Sequence, residues 1–256
     1  MDTIDYTKIK LGLLKTTTVN FPGHLATAVF LPGCNLRCGY CYNGELAKSD
    51  LDGKALTNTE NEYATLADVF AHMEKRKNVI KALAISGGEP LMSPYLEPLI
   101  EKAKSLNYIV KLDTNGLFPE KLQTLLHKYS PPISMVALDI KTSFERYNEL
   151  LQGQPKTNPD TIKAKLLKSI EILKESKASK NVTVEFRTVL VPQLVGKTEI
   201  EAIANHLPKD ASWEFAQFSP KNCMDASYNK INPYTEAELT ELINLAKTFV
   251  SKARLR

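Results

Sequence analysis

The sequence predicts an α/β fold, a partial (β/α)6 barrel of the TIM type, and three observations predict it. Apolar runs rich in Val, Ile, Phe and Leu recur along the chain with helical stretches between them, as βα units around a parallel sheet require. The chain has 256 residues, 43% of them apolar, which is enough for one large α/β domain with a substantial core. Six units are too few to close an eight-stranded barrel, so the barrel is expected to be open.

The elements follow in order. Strands are expected near Ala26–Leu31, Ala82–Ser86, Ile109–Asp113, Met135–Ile140, Val182–Leu190 and Trp213–Phe218. Helices are expected near Leu66–Lys75, Tyr95–Ser105, Pro119–Tyr129, Thr161–Glu175, Glu199–His206 and Thr235–Lys252. The fourth helix is the clearest, with Ile162, Leu166, Ile170 and Leu173 recurring on one face. Its Lys163, Lys165, Lys168 and Lys174 read as a solvated face. No linker or repeat interrupts the series. A single domain 1–256 is expected, with a lead-in over 1–24, the barrel over 25–220 and a C-terminal helical extension over 221–256.

Charge and termini narrow the function. A net charge of +4, from 33 basic and 29 acidic residues, is too balanced to argue for nucleic acid. The opening Met1-Asp2-Thr3-Ile4-Asp5 has neither a basic nor an apolar leader, and no apolar run approaches the ~20 residues of a membrane span. A soluble, cytoplasmic protein with no membrane partner is expected, and a reducing cytosol suits cysteines used as metal ligands.

Chemistry gathers where each expected strand ends, the edge at which loops of parallel α/β folds collect ligands. After the first strand come Cys34, Cys38 and Cys41, spaced C-x-x-x-C-x-x-C. Three thiolates in eight residues can hold three irons of a 4Fe-4S cluster and leave the fourth open, whereas a ferredoxin supplies four. A structural zinc site wants four ligands, and the one further cysteine, Cys223, lies far downstream. Gly33, Asn35, Arg37 and Gly39 make this a polar loop and not an apolar core face.

The remaining strand ends each carry a candidate and an ordinary alternative. Ser86-Gly87-Gly88-Glu89-Pro90 has two glycines that let backbone approach a ligand without a Cβ in the way; the alternative is a plain β-turn. Asp113-Thr114-Asn115-Gly116 reads locally as an Asx-type turn with Gly116 left-handed. Asp139 and Lys141 alternate to one face of the fourth strand. Arg187 sits among residues suited to a buried strand and must therefore be paired, either with Glu185 or, the sharper reading, with a ligand carboxylate or ribose. His24, His72, His127 and His206 are scattered and read as structural or solvated.

The segment Phe30-Leu31-Pro32-Gly33-Cys34-Asn35-Leu36-Arg37-Cys38-Gly39-Tyr40-Cys41 resembles the cluster loop of radical S-adenosylmethionine (SAM) enzymes, with Tyr40 as the aromatic residue before the third cysteine. The lead-in Lys15-Thr16-Thr17-Thr18-Val19-Asn20-Phe21-Pro22-Gly23 resembles the glycyl-radical-enzyme activases, and within them the activating proteins of anaerobic ribonucleoside-triphosphate reductase. Gln217-Phe218-Ser219-Pro220 extends the likeness. Asn20 stands where many of these activases have aspartate, and Tyr42 where reductase activators often have histidine.

The resemblance implies a 4Fe-4S cluster on Cys34, Cys38 and Cys41, and SAM bound by Tyr40, Gly87, Gly88, Glu89, Asp113, Thr114, Asn115, Asp139 and Arg187. It implies a monovalent cation at Asp113, Thr114 and Asp139, for which oxygen ligands suit a hard ion, and Lys141 as charge partner of a substrate or SAM carboxylate. One-electron cleavage of SAM would give a 5′-deoxyadenosyl radical, and the implied substrate is a backbone glycine of anaerobic ribonucleotide reductase. A low-potential donor such as flavodoxin or ferredoxin would supply the electron. With Cys223 alone beyond the triad, no second four-thiolate cluster can be built. A single-cluster enzyme acting on a small molecule, such as a deazapurine synthase, and a non-catalytic iron–sulfur or zinc module are the other readings.

Overall fold

The computed structural model describes residues 4–56 and 63–256. Met1–Thr3 of the expected lead-in lie outside the described residues. The chain divides into two compact units: Met1–Asn35, Glu45–Thr114 and Leu125–Met135 form the first; Leu36–Gly44, Asn115–Thr124 and Val136–Arg256 form the second.

The first unit carries β1 (Lys10–Thr17), β2 (Ala26–Leu31), β3 (Tyr63–Thr65), β4 (Ala82–Gly87) and β5 (Ile109–Thr114), ordered β3-β1-β2-β4-β5. Strands β2, β4 and β5 are parallel, with Ala26 opposite Ala82 and Ala82 opposite Ile109. On one face, Ala26, Ala28, Ala82 and Ala84 pack with Phe21 and Met135, against Phe30 and Ile109. Small residues at every second position keep that face shallow. Helix α1 (Gly44–Lys48) follows the cysteine loop, and α2 (Leu66–Arg76) and α3 (Leu96–Ser105) supply the crossovers. A reciprocal cap starts α2: Thr65 Oγ1 accepts from Asp68 N (3.1 Å), and Asp68 Oδ2 accepts from Thr65 N (3.0 Å).

Helix α4 (Pro119–Lys128) and strand β6 (Ile133–Asp139) run from one unit into the other along the chain. The second unit continues β6-β7-β8-β9, with β7 (Thr183–Leu190), β8 (Ser212–Gln217) and β9 (Lys252–Leu255) parallel. Its helices are α5 (Pro159–Lys180), α6 (Lys197–Ala204) and α7 (Glu236–Phe249). Ile162, Leu166, Ile170 and Leu173 of α5 are all buried, each contributing about 1.5–3 kcal/mol over exposure. Lys163, Lys168 and Lys174 pair with Glu145, Glu120 and Glu171 on the surface, where solvent screens such pairs. Trp213 is fully buried on β8, its indole donating to Thr188 Oγ1 (3.0 Å).

Each of the six expected strands is present within a residue or two, in an α/β fold with a mixed sheet. Three strands were not expected. Strands β1 and β3 form an antiparallel ladder before the parallel series; β1 alternates poorly, and β3 is only three residues long. In the second unit, the expected last helix stops at Phe249 because Val250 is extended, and Lys252 opens β9. The stretch 221–256 is therefore helical only in part. Among the described residues no helix is long and apolar enough to cross a membrane.

Candidate functional site

In the first unit the ends of β2 and β4 are stitched together. Gly88 N donates to Leu31 O (2.8 Å), Glu89 N to Gly33 O (2.8 Å), and Gly33 N to Leu46 O (2.8 Å). Gly33 and Gly87 hold φ of +83° and +117°, which disfavour a side chain. A Cβ at Gly87 would strike the Leu31 backbone, and one at Gly88 the Gly33 carbonyl. The two glycines were expected to open backbone to a ligand, and they also leave room for the chain's own loop, at the residue just before Cys34.

Glu89 and Thr114 also turn inward. Glu89 is fully buried and accepts from Leu91 N (3.1 Å) and Thr114 Oγ1 (2.8 Å). Asp113 is ion-paired with Lys111, a lysine 2% exposed that sequence reasoning passed over. The two share a strand face by the period of two, and that spacing was the available signal. A cation was expected to offset Asp113, and Lys111 is one positive charge that pairs with it.

In the second unit the cysteine loop turns tightly, Cys41 N donating to Cys38 O (3.0 Å). Cys38 is buried, Cys41 is half-buried, and burial pushes the Cys41 thiol up. No disulfide joins the four cysteines. Among the described residues no three or more His, Cys, Asp or Glu side chains are grouped so as to hold a metal ion; metal sites of this kind take shape as the ligands lose protons and bind.

Asp139 stands between two cations. Lys141 Nζ lies 3.0 Å from its Oδ2, and Arg187 Nε lies 2.7 Å from its Oδ1. Burial alone would raise the Asp139 carboxyl, but Arg187 and Lys141 hold it well below the usual range. Burial likewise opposes charge on Lys141, and Asp139 outweighs it, keeping the amine protonated far above its ordinary value. Ile140 N donates to Arg187 O (2.8 Å), and Lys141 N donates to Tyr147 Oη (3.0 Å), fixing the end of β6. Arg187 was read as seeking a ligand carboxylate. It has one in Asp139, reached across neighbouring strands, a pairing that spacing in the sequence does not reveal.

Asn115 and Gly116 form the turn that the sequence predicts: Asn115 Oδ1 accepts from Leu117 N (3.1 Å), and Gly116 has φ +76°. Tyr40 is buried, and its hydroxyl has no hydrogen-bond partner. That is costly unless a bound group supplies an acceptor. Three thiols on one loop beside an orphaned donor fit an iron–sulfur cluster with a polar co-ligand.

A further segment of the second unit meets the loop. Met224 N donates to Cys41 O (2.9 Å) and Asp225 N to Gly39 O (2.9 Å). Cys223 is thereby brought beside Cys41, and its thiol is raised by burial and then by Cys41.

A Methanocaldococcus jannaschii protein provisionally named a glycyl-radical enzyme activating enzyme is 32% identical over 246 residues, spanning 96% of this chain and 94% of that one. The pyruvate formate-lyase-activating enzyme of Clostridium pasteurianum is 28% identical over 84% of this chain and 82% of its own. A 7-carboxy-7-deazaguanine synthase of Hyperthermus butylicus is 36% identical, over 43% of this chain and 45% of its own. Among solved structures, SuiB of Streptococcus suis bound to S-adenosylmethionine shares the fold at TM-score 0.58 and 19% identity, over 88% of this chain and about half (48%) of SuiB. QueE from Escherichia coli shares it at TM-score 0.52 and 15% identity, over 97% and 91%. The Radical SAM superfamily profile matches residues 28–203, more than two thirds of the chain, and the chain belongs to that superfamily.

Proposed function

We propose that this radical SAM enzyme places a glycyl radical on a partner enzyme, an anaerobic ribonucleotide reductase being the partner favoured by the lead-in around Phe21-Pro22-Gly23. The observation that carries the reading is the likeness to an activating enzyme along nearly the whole of both chains. The family's cofactors are a 4Fe-4S cluster and SAM. Cys34, Cys38 and Cys41 would hold the cluster as thiolates. Bound together, cluster and SAM supply one-electron cleavage of a carbon–sulfur bond and, through it, hydrogen-atom abstraction.

The chain's own residues do the rest. Cys41 must lose its proton on taking iron, against a burial that favours the thiol. Lys141, kept charged by Asp139, and the guanidinium of Arg187 present cations where a SAM carboxylate can add to the array. Tyr40 offers its hydroxyl to the bound cofactor. Glu89, Thr114 and Asn115 hold the surrounding turns in shape. Lead-in, barrel and C-terminal extension act as one domain in this reading, in the cytoplasm, with flavodoxin or ferredoxin as electron donor. A monovalent cation at Asp113, Thr114 and Asp139 is not needed for charge balance; a potassium-dependent SAM affinity that vanishes in Asp139→Asn is the result that would install it.

Reduced, cluster-loaded protein incubated anaerobically with SAM and the reductase of the same organism should give the paramagnetic doublet of a glycyl radical, with 5′-deoxyadenosine. Changing the reductase glycine to alanine should remove the doublet. The second reading, a small-molecule substrate, is favoured by the partial likeness to 7-carboxy-7-deazaguanine synthase. It replaces the first if no glycyl-radical enzyme yields the doublet while a small molecule stimulates SAM cleavage and is itself converted.

A further inference from the structure

The segment after β8 makes more contact with the cysteine loop than a connection needs. Its backbone amides at Met224 and Asp225 bond the carbonyls of Cys41 and Gly39, 2.9 Å each, so two peptide groups of the loop are fixed from outside it. Gly39 has no side chain, and the space is taken: a Cβ there would run into the Tyr228 ring and the Gln152 amide. A Cβ at Gly44, on the far side of the loop, would lie 3.2 Å from Met224 Cβ.

The segment is itself braced. Asp225 Oδ1 accepts from Ser227 N (2.9 Å), its Oδ2 accepts from Gln152 Nε2 (3.3 Å), and Cys223 N donates to Asn229 Oδ1 (3.0 Å). The Tyr228 ring lies 6.3 Å from that of Tyr40 and 6.5 Å from that of Phe218, so one side chain touches both the loop and the strand end behind it. On the opposite side, Arg37 N donates to Leu150 O (2.7 Å).

We propose that residues 223–228 are a strap that sets the shape of the cysteine loop, with Tyr228 and Asp225 as positioning residues for the thiolates of Cys38 and Cys41. The amides of Met224 and Asp225 reach the loop through backbone carbonyls. The strap acts on the carbonyl of Cys41 and on that of Gly39, the residue after Cys38, as outer partners of metal ligands do. This rests on the triad being the cluster loop, and not on which substrate the enzyme takes.

The test uses anaerobically reconstituted protein. Tyr228→Ala should release iron to a chelator ~10-fold faster than wild type, the lower end of what loss of an outer partner costs, and should alter the paramagnetic spectrum of the reduced cluster. Tyr228→Phe, which keeps the ring, should restore both. Gly39→Ala should show the same defect because its methyl meets that ring and the Gln152 amide, and the double variant Gly39→Ala/Tyr228→Ala should fall well short of the product of the two single defects, since Tyr228→Ala removes the nearer obstacle. Asp225→Ala, which cuts the tie to Gln152 and leaves the ring, gives the same direction if Tyr228→Ala does not fold. Wild-type release rates and spectra in Tyr228→Ala and Asp225→Ala overturn the proposal, as do effects of Gly39→Ala and Tyr228→Ala that simply multiply. None of these readouts needs a partner enzyme, so a failed glycyl-radical assay leaves the strap standing, and a failed strap leaves that assay untouched.

Discussion

Asp139 is the residue on which most of the second unit's charge turns. Removing its carboxylate takes from Lys141 and Arg187 the counter-ion that they share. The side chain is 25% exposed, so Asp139→Asn should destabilise the fold by about 3 kcal/mol, the low end for a broken buried pair. The sign with pH follows from its depressed titration. Its contribution is complete above the ordinary aspartate value of 3.8 and is lost as pH falls below it toward the lower folded-state value. Denaturant melts from neutrality down to about pH 3 should therefore show wild type losing part of its advantage over Asp139→Asn in the acid range. A difference unchanged across that range would mean that Arg187 and Lys141 find other partners. Asp139, Lys141 and Arg187 were each legible as candidates because charged residues in an apolar strand stand out. Their mutual pairing was not, since it depends on which strands lie side by side.

At the scale of elements, the β2 and β4 ends show how one motif can meet two demands. Ser86-Gly87-Gly88 was expected to face a ligand, and its glycines are also needed where one stretch of the chain passes another. Gly88→Ala should therefore push on Gly33 and break the bond from Glu89 N to Gly33 O, disturbing the residue that precedes Cys34. The expected outcome is a joint loss, with cluster iron and SAM affinity both reduced. Iron analysis beside titration calorimetry checks it, and weakened SAM binding at full iron content would return the glycines to a purely ligand-facing role. The parallel strands were readable because burial on both faces gives continuous apolar runs. Strands β1, β3 and β9 escaped because an exposed or very short strand carries no such run. The contacts of Met224 and Asp225 with the loop left no trace in periodicity at all, for they run through backbone atoms that every residue possesses.

For the whole molecule, the question is whether cofactor binding and folding are one equilibrium. A ligand held only by the native state stabilises it by mass action, about 2.7 kcal/mol at a hundredfold excess over Kd, which for a chain of this length is roughly 5–10 °C in Tm. If SAM is held through an iron that Cys34, Cys38 and Cys41 leave open, that gain exists only in cluster-loaded protein. If it is held mainly by Lys141, Arg187 and Tyr40, the gain should persist without iron. The three-thiolate loop favours the first outcome, because it alone leaves a metal coordination site to be filled. Anaerobic melts of loaded protein with SAM should thus shift upward by that amount, while iron-free protein and Cys38→Ala should shift by little. An equal shift in Cys38→Ala would assign the affinity to protein side chains and move the cluster out of SAM recognition.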